Sequence, residues 1–180
     1  MNALLDTTDF RDTAAEEIRF AFAPFSLGSV LVAASDKGVV AILMGDDRAV
    51  LTRELTRTFS DARLVADEAG LEDMTAKVVA FLEAPHTALE LPLDIRGGAL
   101  EQAVWQALLA VPAGETITYG QIAKALPVPA TAQEVGAACA ANVLAVAIPC
   151  HRVVKADGSI SGYRWGVQRK RRLINREAVA

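Results

Sequence analysis

The run "IRFAFAPFSLGSVLVAASDKGVVAILMG", residues 18–45, sets β-branched and aromatic residues in short stretches broken by "LGS" and "SDKG". Short apolar stretches between turn residues predict strands, and turns this tight predict an antiparallel meander. The period then changes. In "DDRAVLTRELTRTF" the apolar Val50, Leu51, Leu55 and Phe59 fall at helical spacing behind acidic residues, and "LEDMTAKVVAFLEAP" reads as a second helix that Pro85 ends. "HTALELPLDIRGG", with one proline and two glycines, reads as a linker.

Beyond it the helical period dominates. "ALEQAVWQALLAVPAG" places Val104, Trp105, Leu108 and Leu109 on one stripe and stops at Pro112 and Gly114. "TITYGQIAKALPVPATAQEVGAACAAN" gives two short helices around "PVPA", the second started by a capping box of Thr131 and Glu134, which puts Gln133 in its first turn. The pair outlines either a loose helix-turn-helix or a plain helical hairpin. "VQRKRRLINREAV" is the last helix. The pattern therefore predicts an α+β chain, with a small sheet and its helices over residues 1–90 and a mostly helical unit over residues 91–180. No internal repeat is visible.

Composition adds three constraints. At 180 residues and 52% hydrophobic the chain can bury one good core or two small ones. Its apolar runs are too short to span a bilayer, and its start, "MNALLDTTDFRD", is acidic, unlike a signal peptide, so a cytoplasmic location is expected. The net charge of -4 divides into -9 over residues 1–95 and +5 over residues 96–180. A basic second half suits an anionic partner such as nucleic acid, or simply a solvated last helix.

The chemistry gathers at "AIPCHRVV", residues 147–154. With two cysteines, Cys139 and Cys150, the chain has no disulfide framework, and Cys150 is a free thiol where an apolar run meets a polar loop. A reactive thiol needs a base or a cation beside it, and His151 is the nearest base. Neighbours on an extended chain point apart, so a water or a tight turn has to bridge the two. Glu177, three residues after Ile174 and four after Leu173, falls on the inward face of the last helix, away from Arg169, Lys170 and Arg172, where it can stabilise an imidazolium; paired with Lys170 or Arg176 it would instead be a surface acid. The two Cys and two His match no usual zinc spacing, and no phosphate-binding glycine motif occurs, so no metal and no cofactor are expected. A Cys/His/acid hydrolase would need the imidazole directly on the thiol, which the adjacency of Cys150 and His151 disfavours.

"IPCHRVV", with the upstream "AAN" and the downstream "SGYRWG", resembles the methylated-DNA–protein-cysteine methyltransferases, which repair O6-alkylguanine, and most of all the carboxy-terminal part of the Ada adaptive-response proteins. The likeness runs over nearly the whole chain. It implies a ribonuclease-H-like first domain and a helix-turn-helix second domain that binds double-stranded DNA and flips the damaged base. It further implies a monomer that transfers the methyl group once, irreversibly, to its own Cys150. By the same likeness His151 is the base acting through a water, Glu177 orients it, Tyr119 protonates the departing guanine and Asn142 braces the thiol turn. Gln133, Cys139, Val153, Tyr163 and Arg164 are the implied DNA- or base-contacting residues. Two departures matter. The family usually carries an arginine, which fills the gap left by the flipped base, where this chain has Gln133; weaker binding follows, and a weakly active or non-catalytic lesion binder is the alternative function. The cysteines of the zinc site some relatives hold in the first domain are missing, so that site is not expected, and transcriptional control of the Ada kind is not expected of this chain alone.

Overall fold

A computed structural model describes residues 14–179; the acidic start read above as no targeting signal lies, up to residue 13, outside them. Strands β1 (Glu17–Phe25), β2 (Gly28–Ala34) and β3 (Val39–Gly45) form the expected antiparallel meander. Strand β4 (Arg63–Ala66) was not evident in the sequence pattern. It joins the sheet edge parallel to β1, giving the order β3-β2-β1-β4. A four-residue strand that begins with an exposed arginine carries no useful period of its own; it is held by backbone pairing to Glu17–Phe20.

Helices α1 (Arg48–Thr58) and α2 (Glu72–Glu83) pack on this sheet. Asp47 caps α1 by accepting from the Ala49 amide. Leu51 and Leu55 are buried, but Val50, expected on their stripe, lies at its flank and is 47% exposed. In α3 (Ala99–Leu109), likewise, Val104, Trp105 and Leu108 face the core and Leu109 faces outward.

The segment read as a linker is not free. Val39 of β3 donates its amide to Pro92 O and accepts from the Asp94 amide, so residues 92–94 run along the sheet edge and satisfy backbone groups that would otherwise be unpaired. Gly38, at φ 147°, permits this approach, since a Cβ there would meet Pro92 O at 2.4 Å. On the far side of this crossing lie α3, the short strand β5 (Ile117–Thr118), α4 (Tyr119–Ala125), α5 (Ala132–Ala141), β6 (Val153–Val154) and α6 (Val167–Ala178). β5 pairs in parallel with β6. The indole of Trp105 donates to Ala138 O at 2.9 Å and ties α3 to α5. One apolar cluster is continuous from β2 and β3 through Trp105 and Val135 to Cys150 and Leu173.

Candidate active site

The end of α5 starts the site. Asn142, buried, caps the helix and then organises the loop that follows: its Nδ2 donates to Ile148 O at 3.0 Å, its Oδ1 accepts from the Leu144 amide at 2.8 Å, and the same Nδ2 lies 3.3 Å from Cys150 Sγ. Backbone bonds join Ile42 of β3 to Val143 and Ala145, fastening the loop to the sheet. Within it Val146 takes φ 65°, a left-handed conformation that β-branched residues avoid. The apolar run "LAVAIP" is thus a tight loop rather than a strand, because Asn142 and β3 supply the partners that bend it.

Cys150–Arg152 then form one 3-10 turn, with Cys150 4% exposed and His151 fully buried. His151 Nε2 lies 2.7 Å from Glu177 Oε1. Glu177 also accepts from Arg152 Nε at 3.0 Å and Nη2 at 2.8 Å, while Arg152 Nη1 donates to Val111 O at 2.7 Å. So Glu177 faces inward, as its helical position predicts, and its partners are His151 and Arg152 rather than Lys170 or Arg176. Burial raises the Glu177 carboxyl, but the hydrogen bonds and charges of His151 and Arg152 outweigh it and hold the pKa at about 2. The carboxylate is therefore ionised and acceptor-only, so Nε2 of His151 carries the proton between them. Burial lowers the imidazole's own pKa despite Glu177, leaving the ring neutral and Nδ1 with its lone pair. Nδ1 is buried and has no hydrogen-bond partner among the described residues. The hydrogen bond with Cys139 and burial push the Cys150 thiol well above its usual pKa, while Asn142 and Lys170 favour the thiolate. The resting pair is thus a protonated thiol and a neutral imidazole.

A cavity of about 410 Å³ opens onto the sulfur, lined by Tyr119, Cys139, Cys150, Tyr163 and Arg164 together with Gly136. Its polar groups are linked: Tyr119 Oη hydrogen bonds Ser161 Oγ, and Lys170 Nζ donates to that same oxygen at 2.9 Å and to Gly162 O at 3.3 Å. Lys170 is 1% exposed, which corrects its placement on the outer face of the last helix. Positions 170, 173 and 177 share one helical stripe, and the loop at 161–162 supplies the acceptors that let an ammonium lie inside it. Burial lowers its pKa, and the two thiols counteract that. Tyr163 packs edge-on against Trp165, and its hydroxyl is buried without a partner among the described residues.

The structure thus brings together eight of the ten sequence-predicted positions, namely Cys150, His151, Glu177, Tyr119, Asn142, Cys139, Tyr163 and Arg164. Val153 lies in β6, paired with Ile117 and fully buried, and does not line the cavity. Gln133 is exposed in the first turn of α5, whose capping box forms as expected, and also lies off the cavity. Arg152, Ser161 and Lys170 were missed. For Arg152 the signal was present, since an inward carboxylate needs a cation and "CHR" places one beside the histidine. A larger cavity of about 540 Å³ lies between sheet and helices behind Asn142 and Ile148, reached by no thiol or imidazole. Among the described residues no cluster of three His, Cys, Asp or Glu could hold a metal ion, and no helix is long and apolar enough to cross a membrane.

A buried thiol that opens onto a cavity walled by two tyrosines, next in the chain to a buried imidazole–carboxylate pair, defines a cysteine-centred site on a small α+β fold. The chain belongs to the 6-O-methylguanine DNA methyltransferase family. The model of that family's ribonuclease-like domain matches residues 18–95 and that of its DNA-binding domain residues 99–179. Among curated relatives, the bifunctional transcriptional activator/DNA repair enzyme Ada of Escherichia coli is 50% identical over 161 residues, covering 89% of this chain and 46% of Ada. The chain thus spans about half the length of the Ada proteins it matches. A methylated-DNA–protein-cysteine methyltransferase of Mycobacterium bovis is 35% identical, over 79% of this chain and 88% of that protein. Among solved structures, the O6-methylguanine methyltransferase of Mycobacterium tuberculosis superposes with a TM-score of 0.73 at 29% identity, covering 90% of this chain and 93% of that one. The M. tuberculosis protein has also been solved in complex with DNA, and there the TM-score is 0.71 at 30% identity.

Proposed function

We propose that this chain is a DNA repair protein that removes the alkyl group from O6-alkylguanine in duplex DNA by a single, irreversible transfer to Cys150. The observation that carries the reading is that Cys150 lines the cavity while the hydrogen-bonded sets Asn142–Cys150 and His151–Glu177–Arg152 hold its turn from behind. The lesion's methyl group lies inside the duplex until its nucleotide is extruded, and the cavity between Tyr119 and Tyr163 would take the flipped base. The thiol proton passes through a water to Nδ1 of His151, whose new charge Glu177 stabilises. The sulfur attacks the methyl carbon, a C–S bond forms, and the C–O6 bond breaks with its electron pair leaving on the purine. Tyr119 gives that purine a proton, and the thiol's own proton restores the balance. The product is a thioether with no easy leaving group, so each molecule acts once.

In this reading α4 and α5 act as the helix-turn-helix, with Gln133 at the DNA side of α5, and Cys139, Tyr163 and Arg164 contact the base or its strand. Gln133 lacks the cation of an arginine and makes the complex weaker. We take the protein to work as a cytoplasmic monomer without metal, and to divide near residue 90. Incubation with a duplex holding O6-methylguanine, followed by the mass of the intact protein, tests the proposal. A gain of one methyl group, absent in Cys150→Ala, is expected. Lesion binding without any gain would leave a damage-binding protein and refute transfer.

A further inference from the structure

Two arginines stand out in the acidic half of the chain. Residues 1–95 hold 17 acids against 8 bases. Among the described residues there, Arg19 pairs with Asp67, Arg63 pairs with Glu17, and Arg48 lies over the Phe22 ring. Arg53 and Arg57 are exposed and have no acceptor among the described residues. They sit one turn apart on α1, on the side away from the buried Leu51 and Leu55. Like charges at this spacing weaken a helix; the last turn suits Arg57, but Arg53 has no such reason within α1.

Together with Val50, these arginines line a shallow depression of about 630 Å³ whose opposite wall is Arg164. Arg164 is fixed there by Glu54 Oε1 at 2.7 Å and Ala140 O at 2.8 Å. Its salt bridge with Glu54 neutralises the acid of this depression, leaving Arg53 and Arg57 as excess positive charge. The same Arg164 lines the cavity over Cys150, so the depression and the thiol cavity share a wall. A nucleotide extruded into that cavity remains tied to its strand, whose phosphates must leave past its rim. Guanidinium groups are planar, permanently charged and matched to phosphate oxygens.

We infer that the depression bounded by Arg53, Arg57 and Arg164 is a phosphate-binding site for the DNA strand beside the flipped nucleotide, so that DNA contact extends from the C-terminal helices onto α1 of the ribonuclease-like domain. The inference rests on the function proposed above. Binding to a duplex with one O6-methylguanine, followed by fluorescence anisotropy at several salt concentrations, tests it. Arg53→Ala/Arg57→Ala should bind about tenfold more weakly near 0.1 M salt, and the slope of log K against log salt should flatten by about 2, one for each phosphate that the variant no longer neutralises. Alanine favours the helix, so the fold is retained, and the variant should still gain one methyl group at saturating DNA. Lys77→Ala, which removes a charge from an exposed position on α2, should change neither affinity nor slope. Wild-type affinity and slope in the double variant would overturn the inference, as would an equal loss in Lys77→Ala. If the wild-type chain neither binds the lesion nor gains the methyl group, the proposed function itself fails, a separate outcome.

Discussion

Exchange of Glu177 for glutamine removes one negative charge and leaves the side chain's shape, which makes it the sharpest probe of the buried network. Two guanidinium nitrogens and one imidazole nitrogen converge on this carboxylate. With glutamine in place, Arg152 keeps Val111 O and one amide oxygen, but its buried charge has no counter-charge. Breaking a buried pair by removing one partner costs about 3–5 kcal/mol. The carboxyl held at about 2 instead of its ordinary 4.5 has the same sign, since His151 and Arg152 favour its charged form, and Glu177→Gln should lose about 3 kcal/mol of stability at pH 7.

The pH dependence fixes the cause. A folded-state value below the unfolded one gives stabilisation that is complete above about 4.5 and is lost as the pH falls from there to about 2. The wild-type chain sheds this increment over that window and the variant has none to shed, so their difference should shrink toward zero at the acid end. Urea unfolding followed by tryptophan fluorescence from pH 7 downward measures it. A variant as stable as wild type at pH 7, or a gap that stays constant into acid, would refute the reasoning. Methyl transfer should also slow by about 10²-fold or more, since the imidazole loses the group that orients it and stabilises its charge.

Asn142→Ala leaves the buried Leu144 amide without its acceptor and takes one of two donors from Ile148 O, which keeps the Cys150 amide, and should cost about 1–3 kcal/mol in urea unfolding. Ser161→Ala disconnects the Lys170 ammonium from the Tyr119 hydroxyl. Stability should fall by about 1–3 kcal/mol, and rapid-quench assays should show slower methyl transfer, with unchanged kinetics speaking against a role for this link in protonating guanine. Gln133→Arg restores a cation at the exposed first turn of α5 and should tighten DNA binding and speed repair; equal repair rates in the two proteins would count against the importance ascribed to that position.

The parts of this molecule legible in its sequence are those whose cause is local. The meander follows from short apolar runs between turn residues, α1 from Asp47 and the Leu51–Leu55 spacing, α5 from its capping box. Strand β4 and the passage of residues 92–94 along β3 were not legible, because both are held by backbone bonds to segments far away in sequence. Cys150, His151 and Glu177 could be nominated by residue type, since a thiol that reacts needs a base and a base that charges needs an acid. Lys170 could not. It groups with Arg169 and Arg172 on the outer face because an ammonium pays a desolvation penalty inside, and only the fold shows Ser161 Oγ and Gly162 O within its reach. Arg152 differs, since an inward Glu177 calls for a cation and "CHR" offers one, although its carboxylate lies 25 residues away on another helix. A buried charge is therefore predictable only when both it and its partners can be placed, and here the partners lie on the loop and helix that close over the thiol. That closure buries the Cys150 thiol against Asn142 and the His151 imidazole against Glu177 within a single turn of chain.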